Sequence, residues 1–316
     1  MDANRTPSAT AWSNPAVQPS NTSRRAYFLL IVTTLFWGGN MVAARMAVGE
    51  ISPMALSFFR WLICAVSLIV IARRDVAAHW RALLPHWKLI LPMAIGGMTA
   101  YGNLLYVAAS HTSGINLSII QGAIPVFLLI GAFVFQRKRT NALTLAGVAL
   151  TLVGILYMAT RGHLEALTAL QFNIGDIYVV LAGICYAGYA LGLPHRPAVP
   201  AIVFFTALAC VGMVASLPLF LVEAASADLV MPTTPKAFAI VMYIGLGPSF
   251  IAQLLFMRGV ALIGPSRAGL FINLVPIFGA IMSVLILGEP FASYHAVALA
   301  CVLGGIFLAE RKRPAT

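Results

Sequence analysis

Charge is what this chain has least of. Its 316 residues include 20 Lys and Arg and only 9 Asp and Glu, 9% in all, where a water-soluble protein carries about a quarter. With 60% hydrophobic residues and a mean hydropathy of +0.92, that scarcity excludes an ordinary soluble globule and points to a bilayer. Beyond the amino-terminal tail, long polar stretches are missing too. One crossing needs about 20 mostly apolar residues, so ten crossings absorb most of the apolar complement and leave no room for a sizeable soluble domain. The four cysteines, Cys64, Cys185, Cys210 and Cys301, lie inside apolar runs with no CxxC or Cys/His spacing. That excludes a disulfide framework and a zinc site, and neither a metal nor a cofactor is expected. HExxH, GxSxG and GxxxxGK[ST] are all absent, so an intramembrane enzyme lacks recognisable chemistry.

What is present is a series of apolar runs, at 27–48, 53–72, 89–110, 114–135, 142–159, 174–193, 199–222, 237–257, 266–287 and 292–309. Read as helices, they make an all-α polytopic membrane protein with ten transmembrane helices. The net charge of +11 does not imply a nucleic-acid partner, because the basic residues are scattered between the runs and not gathered on one face. They report topology instead. All Lys and Arg except Arg45, Arg161, Lys236 and the intramembrane Arg60 fall in segments on the side of the amino terminus. The positive-inside rule then puts both termini in the cytoplasm of a cell inner membrane. Residues 1–26 read as a disordered cytoplasmic tail and 310–316 as a basic one. A monomer in the lipid bilayer suffices for this architecture.

The runs repeat. An offset of 151 superposes Pro125 on Pro276, Phe127 on Phe278, Ile130 on Ile281, Gly154 on Gly305 and Ile155 on Ile306. At a slightly smaller offset FWGGN (36–40) lies over CYAGY (185–189), and Phe58-Phe59 over Phe204-Phe205. Two repeats, 27–160 and 174–309, therefore hold five crossings each. An odd number forces the second to insert upside down relative to the first. Inverted repeats place a binding site near the midplane where broken helices meet, and they permit alternating access. Pro125 and Pro276, near the middle of helices four and nine, are the expected kinks; the competing reading is that they only shape packing.

Hydrogen-bonding side chains are expensive in hydrocarbon unless they face a partner or a wet cavity. Helix one offers Trp37 and Asn40, three apart and so on one face. Tyr101 and Asn103 lie on helix three, Gln121 on helix four, Tyr186 and Tyr189 on helix six, Ser249 and Gln253 on helix eight, and Asn273 on helix nine. Gln121 and Asn273 flank the paired prolines. For each residue singly, an interhelical hydrogen bond competes with a place on a cavity wall. Arg60 has two readings, attraction of an anionic solute or snorkelling and carbonyl capping in a peripheral helix. No Asp or Glu falls mid-membrane, so a buried-carboxylate proton relay has no residue, and facilitated export is expected; the border acids Glu50 and Asp176 keep coupling open. An uncharged wall of aromatics and carboxamides suits a small neutral or zwitterionic amphipathic solute. A non-transporting scaffold or receptor would need neither paired kinks nor a polar lining.

LFWGGN (35–40) in helix one, QGAIPVF (121–127) in helix four, NLVPIFGAIMSVLILGEP (273–290) in helix nine and GGIFL (304–308) in the last helix resemble the drug/metabolite transporter superfamily, specifically its EamA-type transporters. The resemblance spans nearly everything between the tails. It implies a membrane exporter of amino acids, similar metabolites or drugs. It also implies a cavity lined by helices one, three, four, six, eight and nine, and so a substrate-binding role for Trp37, Asn40, Tyr101, Gln121, Tyr186, Tyr189, Gln253 and Asn273. One departure stands out: Gly288-Glu289-Pro290 keeps the family's acidic turn, whereas the first repeat reads Gln136-Arg137-Lys138-Arg139.

Overall fold

A computed structural model of the chain describes residues 20–109, 111–112, 120–121, 123–137, 140–168, 173–225, 229–288 and 292–310. Residues 1–19 and 311–316 of the tails, and Glu289, lie outside these. The described residues hold helices and no strand. In order they are α1 (Ser20–Met46), α2 (Pro53–Ile71), α3 (Arg73–Leu83), α4 (Trp87–Ala94), α5 (Tyr101–Ala109), α6 (Ile124–Gln136), α7 (Ala142–Ala159), α8 (Ile174–Gly192), α9 (Ala201–Ala224), α10 (Pro235–Ile244), α11 (Ala252–Ile263), α12 (Pro265–Leu270), α13 (Val275–Leu287) and α14 (Ser293–Glu310).

Local chemistry sets the helix starts. Asn141 accepts from Thr144 N at 2.7 Å, and Thr234 accepts from Ala237 N at 3.0 Å. Asn173 and Asp176 form a reciprocal capping box, while Pro53, Pro235 and Pro265 open their helices in the first turn, where a missing N–H costs nothing. Among the described residues seven helical stretches are long and apolar enough to cross a membrane: Thr22–Met46, Pro53–Ile71, Ala142–Ala159, Ile174–His195, Ala201–Ala224, Pro235–Ile263 and Pro265–Leu287. Ile124–Gln136 and Ser293–Ala309 are shorter apolar helices.

Four helical stretches are interrupted. A π-helical segment, Ile95–Ala100, joins α4 to α5, and another, Gly245–Ile251, joins α10 to α11. A turn at Ala123 precedes α6, and a 3₁₀ turn, Phe271–Leu274, separates α12 from α13. These last two breaks correct the expected kinks. Pro125 and Pro276 stand in the first turn of α6 and α13, so they begin a half-helix just after its break and take no hydrogen bond from a helix interior. The offset of 151 recurs in these elements: α6 and α13 start at 124 and 275, end at 136 and 287, and are followed by the left-handed residues Arg137 (φ 52°) and Gly288 (φ 70°).

Contacts between counterpart helices fix their directions. Gly147 of α7 meets Gly305 and Ala309 of α14, while Gly154 meets Ala298 and Cys301, so ascending α7 means descending α14. The two run antiparallel, backbone against backbone, because neither glycine carries a Cβ. α2 and α9 are antiparallel as well: Phe58 stacks on Phe220 with centroids 5.1 Å apart, and Glu223 at the far end of α9 accepts from the first-turn amides of Met54 (3.0 Å) and Ala55 (2.7 Å) of α2. A carboxylate there answers two orphan donors and the positive helix end. The core, with Phe204, Phe205, Leu208 and Phe256 almost fully enclosed, runs between these pairs.

Candidate functional site

The π-helical segment Gly245–Ile251 positions the site. A π turn leaves carbonyls out of the regular ladder and is a frequent functional device in helices. Here Pro248 O accepts from Trp37 Nε1 at 3.1 Å, and Ser249 O accepts from Cys64 Sγ at 3.5 Å. Ser249 Oγ accepts from Arg60 Nε at 3.0 Å. One irregular turn thus holds side chains from α1 and α2. The other π segment does the same work for packing: Trp61 Nε1 donates to Met98 O at 3.1 Å, and Thr99 Oγ1 donates to Gly212 O at 3.0 Å.

Between these segments and the broken ends of the 124–136 and 265–287 stretches lies a cavity of about 380 Å³, the size of a small-solute site. Trp37, Asn40, Tyr101, Gln121, Tyr186, Gln253 and Asn273 line it, and Pro276 does too. Tyr189 is brought close but not onto the wall; it is almost fully buried and accepts a 2.6 Å hydrogen bond from Gln253 Nε2. Pro125 is buried away from the wall. Asn103 is off the wall as well, with both amide atoms buried and without a hydrogen-bond partner.

The aromatic part is a connected cluster. Tyr186 is its hub, with its ring centroid 4.9 Å from Tyr101, 5.9 Å from Phe256 and 6.1 Å from Trp37. Edge and tilted contacts of this kind stabilise by about 0.5–1.5 kcal/mol beyond burial. The polar part is unsatisfied. Asn273, only 1% exposed, has no partner for either amide atom, and the Tyr186 hydroxyl and Asn40 Oδ1 are also buried without one. These groups border the cavity with hydrogen-bonding capacity that no protein group among the described residues meets, and a solute or water can meet it there.

The wall also carries charge, which corrects the expected uncharged lining. Arg60 and Arg45 both line the cavity, with Trp61, Met98 and Ser249. Arg60 stands 5.1 Å over the Trp61 ring. Arg45 falls in the last turn of α1, not in a connecting loop. Among the described residues no Asp or Glu lines the cavity. The two border acids are engaged elsewhere: Asp176 Oδ2 accepts from Asn173 N at 3.0 Å in its cap. Glu50 accepts from Thr234 Oγ1 at 2.6 Å and pairs with Lys236 at 3.1 Å. The Thr234 hydroxyl and the Lys236 ammonium hold the Glu50 carboxyl below its ordinary range.

All the cavity-lining residues of α1 lie between Trp37 and Arg45, toward its carboxyl end. The other half is filled. Leu30 is fully buried against Gly259, and the Tyr27 and Phe271 rings are 5.4 Å apart.

Comparison with known proteins agrees with this architecture. The model of the EamA-like transporter family matches residues 24–160 and 173–310. An uncharacterized transporter of Bacillus subtilis, YetK, is 25% identical over 292 residues, covering 92% of this chain and 88% of its own. A probable amino-acid metabolite efflux pump of Salmonella typhimurium is 22% identical over 300 residues (90% and 95% covered). A probable terminal-alkyne amino-acid exporter of Streptantibioticus cattleyicolor is 27% identical over 292 residues (91% and 94% covered). One solved crystal structure superposes with a TM-score of 0.75 at 16% identity, covering 93% of this chain and 97% of its own, a likeness of fold alone.

Proposed function

This chain belongs to the EamA-like transporter family, and we propose that it exports small amphipathic solutes by alternating access through the central cavity. It is a multi-pass membrane transporter and not an enzyme. The observation that carries the mechanism is the cavity itself, a wall of amides and aromatic rings, with Asn273 and Asn40 Oδ1 unanswered by protein among the described residues, at the junction of four interrupted helical stretches. Ten crossings arranged as two inverted five-helix repeats account for the antiparallel counterparts α7/α14 and α2/α9 and for the recurring offset of 151.

In this reading both termini are cytoplasmic in the cell inner membrane, as the distribution of Lys and Arg argues, and the cavity faces outward. Trp37, Asn40, Tyr101, Gln121, Tyr186, Gln253 and Asn273 contact the solute, with Tyr189 bracing Gln253 from the closed side. Rocking one repeat against the other opens that side and shuts the first. The names of two relatives, an amino-acid metabolite efflux pump and a terminal-alkyne amino-acid exporter, favour an amino acid or a similar metabolite. With no carboxylate on the wall among the described residues, the reading has transport run down a solute gradient without a proton relay. The test is counterflow: proteoliposomes preloaded with unlabelled solute accumulate the labelled form transiently, and do so with an uncoupler present. Accumulation abolished by the uncoupler contradicts the uncoupled mechanism, and no exchange of any amino acid or metabolite contradicts the carrier.

A further inference from the structure

A cation on a membrane cavity wall is costly unless something answers it. Arg60 commits its Nε to Ser249 Oγ at 3.0 Å and lies over Trp61 at 5.1 Å; neither partner is an anion, and no carboxylate pairs with it among the described residues. Its Nη groups are left for an acceptor in the cavity. Ser249, itself 1% exposed, accepts from Arg60, and its own O–H has no acceptor among the described residues. Guanidinium and hydroxyl together form a donor set suited to a carboxylate or other planar anion. A cationic solute would meet the Arg60 guanidinium on a wall that holds no carboxylate among the described residues, and like charges repel strongly at the low dielectric of such a site.

We propose that Arg60, held in place by Ser249, is the anion-binding residue of the cavity, so that solutes are selected for a negatively charged group at one end and an apolar group for Trp37, Tyr101 and Tyr186 at the other. This rests on the carrier reading for its consequence in transport, but not for binding. It reverses the peripheral role expected of helix two: the Ser249 contact turns Arg60 inward, toward the π-helical segment.

The experiment uses the full chain in nanodiscs and in proteoliposomes, with four probes that share a phenyl ring and chain length: 3-phenylpropionate, L-phenylalanine, 3-phenylpropylamine and 3-phenylpropionamide. The two carboxylates are expected to raise the melting temperature and to exchange, and the amine and the amide to bind tenfold more weakly or worse. Arg60→Gln should lower carboxylate affinity tenfold or more and remove the discrimination; Arg60→Lys should restore part of it. Should Arg60→Gln fail to fold, the ranking of the four probes on the native chain decides. Amine or amide binding as tight as 3-phenylpropionate, no binding of either carboxylate, or an unchanged ranking in folded Arg60→Gln overturns the proposal. Carboxylate binding without exchange of any probe leaves the anion site standing and sinks the carrier; exchange of the amine alone does the reverse.

Discussion

Asn273 illustrates how a residue's cost identifies its work. A buried carboxamide with no partner destabilises the fold by about 1–3 kcal/mol, and replacing such a group by an apolar one of similar shape is neutral or stabilising. Asn273→Leu is therefore expected to melt at the same temperature or higher while solute exchange falls at least tenfold. A lower melting temperature with unchanged exchange would mean that the amide serves packing alone. Gln121→Leu, at the counterpart break, should lose exchange in the same way. Tyr189 and Gln253 make a different kind of pair, a 2.6 Å hydrogen bond on the closed side of the cavity. Hydrogen bonds between membrane helices average about 0.6 kcal/mol, so Tyr189→Phe should raise the population open to the amino-terminal side of α1 about threefold. The reading is maleimide labelling of Leu30→Cys in a background without the four native cysteines; labelling no faster than with Tyr189 intact contradicts the gate.

At the scale of elements, close helix contacts rest on particular glycines. A Cβ at Gly305 would meet the backbone of Gly147 and Thr151, whereas one at Gly304 would only touch Leu150 Cδ2 at 3.4 Å. Overpacking against backbone costs about 1–3 kcal/mol, so Gly305→Ala should lower the melting temperature and yield, and Gly304→Ala should leave both unchanged. Equal effects would place the α7/α14 contact elsewhere. Glu50, in the turn before α2, is joined to Thr234 and Lys236, the N-cap and first turn of α10. With the Glu50 carboxyl held below its ordinary range, whatever stability this link adds is present at neutral pH and is lost as pH falls through that lowered value. Glu50→Gln should accordingly remove part of the acid sensitivity of melting below about pH 4.5, and an unchanged pH profile would show that the link contributes nothing.

Element boundaries were largely legible from hydrophobic runs, caps and prolines: 142–159 was read to the residue as α7, and the paired breaks fall beside the paired prolines. The π-helical segments were legible only as interruptions: Pro248 in GLGPS and the paired glycines of GGMT mark a break, but not the slipped hydrogen-bond register that it takes. The stretch 73–88 falls between two apolar runs and yet contains α3, a short basic helix without an apolar run to announce it. Of the ten polar residues singled out on the apolar runs, all but Asn103 and Tyr189 line the cavity, since polarity inside an apolar run is visible in the sequence. Arg60 was visible as a charge, but its rotation toward the cavity depends on packing against α9 and on Ser249, 189 positions away.

As a whole, the molecule is an EamA-like family transporter whose cavity is confined to one half of the bundle. The packed side, with Leu30, Tyr27 and Phe271, and the cavity side must exchange roles if solute is to cross. Motions of this kind are expected on the microsecond to millisecond scale and beyond, and they require both arrangements to differ by no more than a few kcal/mol. The most direct measurement places a single cysteine on the wall, Asn40→Cys in a cysteine-free background, in sealed vesicles of known orientation. An impermeant maleimide is then added to one side or the other. Alternating access predicts modification from both sides, each blocked by first locking the opposite opening. Modification from one side only, at any temperature at which the protein stays folded, would contradict it.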